Sequence, residues 1–377
     1  MKSVHQISTV LVKPVSADCN LACRYCFYSV KSNLYPETNN HRMSKRVLQE
    51  LISQFMDLTW DRASFCWQGG EPTLIGLDFY RDVVRYQKLF GVPGQIVENS
   101  LQTNGLLIDE RWARFLKRQK FLVGLSLDGS KKFHDYYRRD KTGKPSYERV
   151  MKAIEYLKKY QVEFNVLVLM NKINVKYPKE LYNFFIDQSI RYLQFIPCVE
   201  WDPVKGGIAD YSITPKEYGR FLCEVFDEWG GKEIPDTYVR IFDEILISYV
   251  TGESPSCNFS DECGKYVVVE YNGDVYVCDF FVEPRWYLVN IMKQPLEEII
   301  ESEKFLEFSK KKGILAEECK RCNWIKYCNG GCPKHWILPG VDQNYFCESY
   351  KLFFNHSHRR FLQLKELVEE RKNLTFT

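Results

Sequence analysis

Cys19, Cys23 and Cys26 stand at C-x3-C-x2-C spacing near the start of a 377-residue chain. Three thiolates on one short loop can hold three irons of a cubane cluster and leave the fourth iron without a protein ligand. An open coordination position lets a metal bind a substrate or cofactor rather than only brace a fold. The alternative is a structural zinc site, which needs a fourth ligand, and no His or Cys lies nearby in sequence to close it. A denser set fills the last third of the chain: Cys257, Cys263, Cys278, Cys319, Cys322, Cys328, Cys332 and Cys347. Cys66, Cys198 and Cys223 sit in apolar contexts and read as packed core thiols, with Cys198 at a strand end as the exception.

These residues need elements to hold them. Strand patterns fall at Ser8–Val12, Arg62–Trp67, Gln95–Leu101, Phe121–Leu127, Glu163–Leu169 and Arg191–Ile196. Amphipathic helical patterns lie between them, near 44–57, 76–90, 108–118, 146–160 and 176–188. Strand and helix alternating six times predicts an α/β fold with a parallel sheet and right-handed crossovers. Six units are too few for an eight-unit barrel, so the pattern predicts an open, partial (β/α)6 barrel. The polar runs Gly69-Gly70-Glu71-Pro72, Gln102-Thr103-Asn104-Gly105, Ser126-Leu127-Asp128-Gly129 and Ile196-Pro197-Cys198 then all fall at carboxyl ends of strands, where barrel enzymes place their sites. Two helices are expected over 215–251. Asn272-Gly273 between Lys265–Glu270 and Val275–Val277 signals a hairpin, and the chain turns helical again from Cys347 to about Arg371. The domains expected are a barrel at 1–200, a helical bridge at 201–253 and a cysteine-rich domain at 254–377.

Composition excludes several classes. A formal charge of +3 is too mild for a nucleic-acid protein. No apolar run approaches the roughly 18 residues of a membrane span, and Met1-Lys2-Ser3-Val4-His5-Gln6 lacks a signal segment. A cytoplasmic protein is expected, where 14 cysteines call for an explanation other than disulfides.

With Tyr25 before its third cysteine, the first loop resembles the signature of the radical S-adenosylmethionine (SAM) superfamily. Gly69-Gly70-Glu71-Pro72 is similar to that family's motif for the SAM amino group, though alone it is also an ordinary turn. Glu71 reads there as a hydrogen-bonding brace. His134-Asp135-Tyr136-Tyr137-Arg138 resembles a further family segment, with Arg138 either meeting the SAM carboxylate or making a surface ion pair. The resemblance implies a radical SAM barrel with SAM contacts from Tyr25, Gln68, Gly69, Gly70, Glu71, Ser126 and Arg138. It implies substrate contacts from Tyr28, Gln102, Asn104 and Cys198.

Cys263-x9-Gly273-x4-Cys278, Cys319-x2-Cys322-x5-Cys328-x3-Cys332 and Cys347 match the seven-cysteine SPASM pattern of peptide-modifying radical SAM enzymes, with Cys257 as an eighth thiol; paired zinc ribbons use similar spacings. By resemblance, one auxiliary cluster takes Cys257, Cys263, Cys278 and Cys332, and the other Cys319, Cys322, Cys328 and Cys347, giving three 4Fe-4S clusters in all. Cys278-Asp279-Phe280 most resembles the anaerobic sulfatase-maturating enzymes. The chemistry implied is oxidation of a Cys or Ser side chain in an unfolded sulfatase to Cα-formylglycine without oxygen. A radical from SAM takes a β-hydrogen, Asp279 takes the heteroatom proton, and an auxiliary cluster takes an electron supplied beyond that proton. The bland role for Asp279 is to cap a hairpin strand. Reduced flavodoxin or ferredoxin would supply electrons; no nucleic acid or membrane is expected as partner.

The second reading is a radical SAM/SPASM maturase that crosslinks, oxidises or epimerises another ribosomal peptide. Such enzymes commonly carry an N-terminal winged-helix segment, for which the stretch before Cys19 leaves no room. Two places depart from the sulfatase-maturating pattern: Leu288-Val289-Asn290, where a Gly is usual at the centre, and Pro333-Lys334, where an arginine is commoner. Both bear on the substrate rather than on the class of chemistry.

Overall fold

The computed structural model describes residues 7–340 and 343–374; the segment 1–6, read above as lacking a signal, lies outside the described residues. Strand and helix alternate as the pattern predicts. The order begins β1 (Thr9–Lys13), α1 (Lys45–Leu58), β2 (Arg62–Trp67), α2 (Leu77–Phe90), β3 (Ile96–Thr103), α3 (Glu110–Arg118) and β4 (Leu122–Ser126). It continues with α4 (Lys131–Tyr137), α5 (Tyr147–Lys159), β5 (Phe164–Met170), α6 (Pro178–Asp187) and β6 (Tyr192–Pro197). Only α4 had no counterpart in the pattern; it is too short for amphipathic periodicity to register.

Beyond β6 come a small ladder, β7 (Trp201–Asp202) with β8 (Gly207–Ile208), then α7 (Pro215–Gly230), β9 (Tyr238–Val239) and α8 (Arg240–Thr251). The cysteine-rich third holds β10 (Tyr266–Glu270), β11 (Asp274–Tyr276), β12 (Tyr287–Asn290), α9 (Leu296–Ile300), α10 (Glu303–Ser309), α11 (Glu317–Lys320), α12 (Ile325–Cys328) and α13 (Cys347–Leu374). Among the described residues no helix is long and apolar enough to cross a membrane.

The chain forms two compact units whose segments interleave. The first takes residues through 126, 134–164 and 264–310; the second takes 127–133, 165–263 and those from 311 on. In the first, the strand order is β12-β11-β10-β1-β2-β3-β4. β1 to β4 are parallel, and β10 joins them parallel to β1 with Lys13 opposite Glu270. β1 is buried almost throughout, as are Val267, Val268 and Val269 of β10. Strands apolar on both faces must be covered on both faces and paired on both edges, so the late hairpin completes the early sheet. Gly273 turns that hairpin at φ +92°, a conformation that favours glycine.

In the second unit β5, β6 and β9 are parallel. A capping box, Thr214 with Glu217, starts α7 behind Pro215. Phe226 of α7 lies 4.9–5.4 Å, ring to ring, from Trp229, Phe242, Phe353 and Phe361, which binds α7, α8 and α13 into one aromatic core.

Candidate functional site

The cysteine loop follows β1 directly. Cys26 N–H donates to Cys23 O at 3.0 Å, closing a tight turn, and Leu21 N–H donates to Cys19 Sγ at 3.4 Å. The approach to the loop is fixed by Asp18, whose carboxylate accepts from His41 N–H at 2.9 Å and Arg42 at 2.8 Å and meets His41 Nδ1 at 2.8 Å. Gly69 and Gly70 lie directly beneath. A Cβ on Gly70 would stand 2.1 Å from Asp18 O, and Gly70 and Glu71 N–H groups donate to Ser16 O and Asp18 O at 2.8 Å. The two glycines therefore let β2 touch the cysteine loop itself.

Glu71 braces this floor. It is wholly enclosed and accepts from Thr73 N–H (3.0 Å), Thr73 Oγ1 (2.5 Å), Thr103 Oγ1 (2.7 Å) and Asn104 N–H (2.7 Å). Burial pushes its carboxyl up, and those donors oppose the rise. Asn104, expected at the substrate, holds the loop: its amide donates to Asn20 Oδ1 at 2.7 Å and reaches Cys19 Sγ at 3.7 Å. Burial raises the Cys19 thiol to about 11, with the charges of Glu71 and Cys26 adding to it. Gln68 donates its N–H to Val12 O, Gln102 is exposed on β3, and Ser126 is buried at the end of β4.

Tyr25 is buried against Tyr137 (5.4 Å), and the Arg138 guanidinium sits 5.5 Å over the Tyr25 ring. His134 and Asp135 fix that arginine from behind. His134 Nε2 meets Ser146 Oγ at 2.9 Å, Ser146 Oγ donates to Arg138 O at 2.7 Å, and Asp135 Oδ1 accepts from the N–H groups of Ser146 and Tyr147 at the start of α5.

Sequence reasoning missed the cation beside Asp279. Asp279 opens a short 3-10 turn after Cys278, and its Oδ1 is ion-paired with the Lys13 ammonium. Lys13 is 1% exposed and Asp279 7%. The same ammonium lies 4.1 Å from the centre of the Tyr28 ring, while Tyr28 donates its hydroxyl to Glu270. Asp279 is half of a buried pair, and deleting either half of such a pair costs about 3–5 kcal/mol. Burial raises the Glu270 carboxyl, opposed by the Tyr28 hydrogen bond and the Lys13 charge. Tyr28 is held well above its usual range by burial and by Glu270 and Asp279. An apolar strand ending in lysine carries no sequence signal for this, because it depends on pairing β1 with a strand some 250 residues later. Tyr266 OH lies 3.2 Å from Cys278 Sγ.

In the second unit, Cys319, Cys322, Cys328 and Cys347 line one hollow, with Trp324 and Asn344 in its wall. Asn329, Gly330 and Gly331 are consecutive left-handed residues between Cys328 and Cys332; a Cβ on Gly331 would meet Asn344 at 2.3 Å. Burial raises Cys328 to about 11, with Cys322, Cys347 and Cys319 as its charged neighbours. Burial likewise raises Cys332 to about 12, but its neighbours are Cys257, Cys263 and Lys312. Cys278 belongs to the first unit. Among the described residues no three His, Cys, Asp or Glu side chains close on one metal ion. Four thiols around a hollow, with the loop 19–26 poised over glycines, suit polynuclear clusters by donor type. Cys198 is buried after β6, and nearby Lys334, at the position where arginine was expected, pairs with Glu200 at 2.6 Å.

Residues 14–185 match the family model described as the radical SAM superfamily, and residues 257–323 match SPASM, an iron–sulfur cluster-binding domain. The serine-type anaerobic sulfatase-maturating enzyme of Bacteroides thetaiotaomicron is 39% identical over 368 residues, covering 92% of this chain and 88% of that one. The cysteine-type enzyme of Clostridium perfringens is 37% identical over 369 residues, covering 96% and 99%. The solved structure of native anSMEcpe with bound AdoMet superposes with a TM-score of 0.88 at 36% identity, over 96% of this chain and 99% of that chain.

Proposed function

The chain belongs to the anaerobic sulfatase-maturating enzymes, radical SAM proteins with a SPASM domain, and from that premise we propose that it converts a Cys or Ser side chain of a target sulfatase to Cα-formylglycine. The observation that carries the residue assignment is the buried Lys13–Asp279 pair at the carboxyl ends of β1 and β11.

When bound, a cluster on Cys19, Cys23 and Cys26 with SAM supplies a hydrogen-abstracting radical, and clusters on the later cysteines supply an electron sink. The chain's own residues do the rest. Making an aldehyde or thioaldehyde from CH2–XH removes a hydrogen atom from carbon, a proton from the heteroatom and one electron. Asp279 takes the proton, and Lys13 holds that carboxylate in place before substrate arrives. Tyr28, its hydroxyl committed to Glu270, forms a wall beside the pair. Gly69 and Gly70 keep the floor low enough for SAM, and Arg138, held over Tyr25, offers a cation to its carboxylate. A thioaldehyde formed from Cys exchanges sulfur for water to give the same product.

Reduced flavodoxin or ferredoxin as electron donor and a cytoplasmic setting complete the reading. The test is to incubate reduced protein and SAM with a peptide containing Cys-x-Pro-x-Arg or its Ser analogue and look for an aldehyde by mass. SAM cleavage without aldehyde from either peptide would remove the sulfatase reading and favour another peptide substrate.

A further inference from the structure

Lys312 sits in the turn 310–313, in the run Lys310-Lys311-Lys312 that reads from sequence as solvated surface. The structure buries it: Lys312 is 1% exposed. Its Nζ donates to three backbone carbonyls, Cys257 O at 2.9 Å, Asn258 O at 3.0 Å and Ser260 O at 2.5 Å. Three acceptors around one nitrogen require three N–H donors, which only the ammonium form has. A full positive charge is therefore enclosed in the second unit, against the segment that begins with Cys257.

Among the described residues no carboxylate takes part in that cage, and a buried charge without a counter-charge is costly. Cysteine thiolates are the partners the site offers. Burial works against the Lys312 ammonium, and negative charge on Cys263, Cys332, Cys257 and Cys328 is what opposes that; the cage itself closes on the Cys257 backbone. Neither the lysine nor the thiols are well solvated alone; together they are mutually compensating.

We propose that Lys312 is a fixed positive charge belonging to the auxiliary cluster site of Cys257, Cys263 and Cys332, where it offsets thiolate charge and raises the site's reduction potential. It is a positioning and tuning residue, touching no substrate. The inference rests on reading those cysteines as cluster ligands, and it goes beyond that reading by assigning the electron sink a device that sets its poise. Net charge and hydrogen bonding around a cluster are the protein's levers on its potential.

The experiment uses the full chain with Cys19, Cys23 and Cys26 replaced by alanine, so that only auxiliary clusters remain. Iron is counted, and reduction is followed by EPR across a dithionite titration. About eight irons are expected in this background; none would overturn the ligand reading itself and leave Lys312 aside as a separate question of fold. Given iron, Lys312→Gln keeps two donors and loses the charge. The expected result is retained iron with one midpoint lowered at least tenfold in the reduction equilibrium, 59 mV for one electron, and restored by Lys312→Arg. Loss of iron in Lys312→Gln with retention in Lys312→Arg also supports the charge. An unchanged midpoint in Lys312→Gln, or failure of Lys312→Arg to restore either iron or midpoint, overturns the proposal and leaves Lys312 a clip of shape alone.

Discussion

At the scale of residues, the thiols were legible and their counter-charges were not. Cysteine spacing is local, so C-x3-C-x2-C and the C-terminal set can be read in any single sequence. Lys13, Glu270 and Lys312 are ordinary letters whose meaning comes from burial. The Lys13–Asp279 pair makes two substitutions informative. Asp279→Asn is expected to leave SAM cleavage within a few-fold of the parent while aldehyde yield falls by about 10²–10⁴, the usual worth of a general base. Lys13→Met removes the cation and leaves Asp279 buried alone, so the same loss should come with a drop of about 3–5 kcal/mol in stability. Asp279→Asn likewise leaves Lys13 buried without its counter-charge, so melting curves should show a comparable drop for both, and aldehyde yield is compared at a temperature where each variant stays folded. An unaltered aldehyde yield in Asp279→Asn would put the base elsewhere.

At the scale of elements, six strands and their helices were legible because each buries a periodic or continuous apolar run. The glycines at the end of β2 were legible as a motif, but their reason was not: they admit the cysteine loop, with Gly70 leaving no room for a methyl group beside Asp18 O. Gly70→Ala should therefore push that loop away and lower iron from about twelve to about eight per chain, the auxiliary clusters remaining. Iron analysis of the purified variant checks this.

Helix α8 carries a second expectation. Asp243 accepts from Val239 N–H at 2.7 Å, and burial raises its carboxyl from 3.8 to about 7. The folded chain then holds a proton that the unfolded chain gives up near 3.8, so this group's contribution to stability is full below about pH 4 and is lost as pH rises to 7, by up to about 4 kcal/mol. Asp243→Asn keeps the acceptor without the charge. It should melt close to the parent at pH 4 and above it at pH 8; an equal gap at both values would show that the carboxyl titrates normally.

At the scale of the whole molecule, the sequence reads as barrel, bridge and cysteine domain in a row, whereas the compact units interleave. Composition changes mark where the chain alters character; they do not mark which segments pair. A fragment of residues 7–253 ends where composition shifts, yet it lacks β10, leaving β1 with an open edge and Lys13 without its acid. That fragment is expected to aggregate, or to lack a cooperative melt, since unpaired apolar edges invite association. A soluble, cooperatively melting fragment that binds iron on its first loop would show that the late hairpin is dispensable.

Lys13 precedes Asp279 by 266 positions. On the ribosome, the first thiol loop emerges early, and the acid that pairs with Lys13 arrives only when about three-quarters of the message has been read. A product that ends before that point therefore carries an unfinished sheet with Lys13 lacking its acid, and the hairpin must close onto β1 and the cysteines from Cys319 to Cys347 must still follow before the fold is complete.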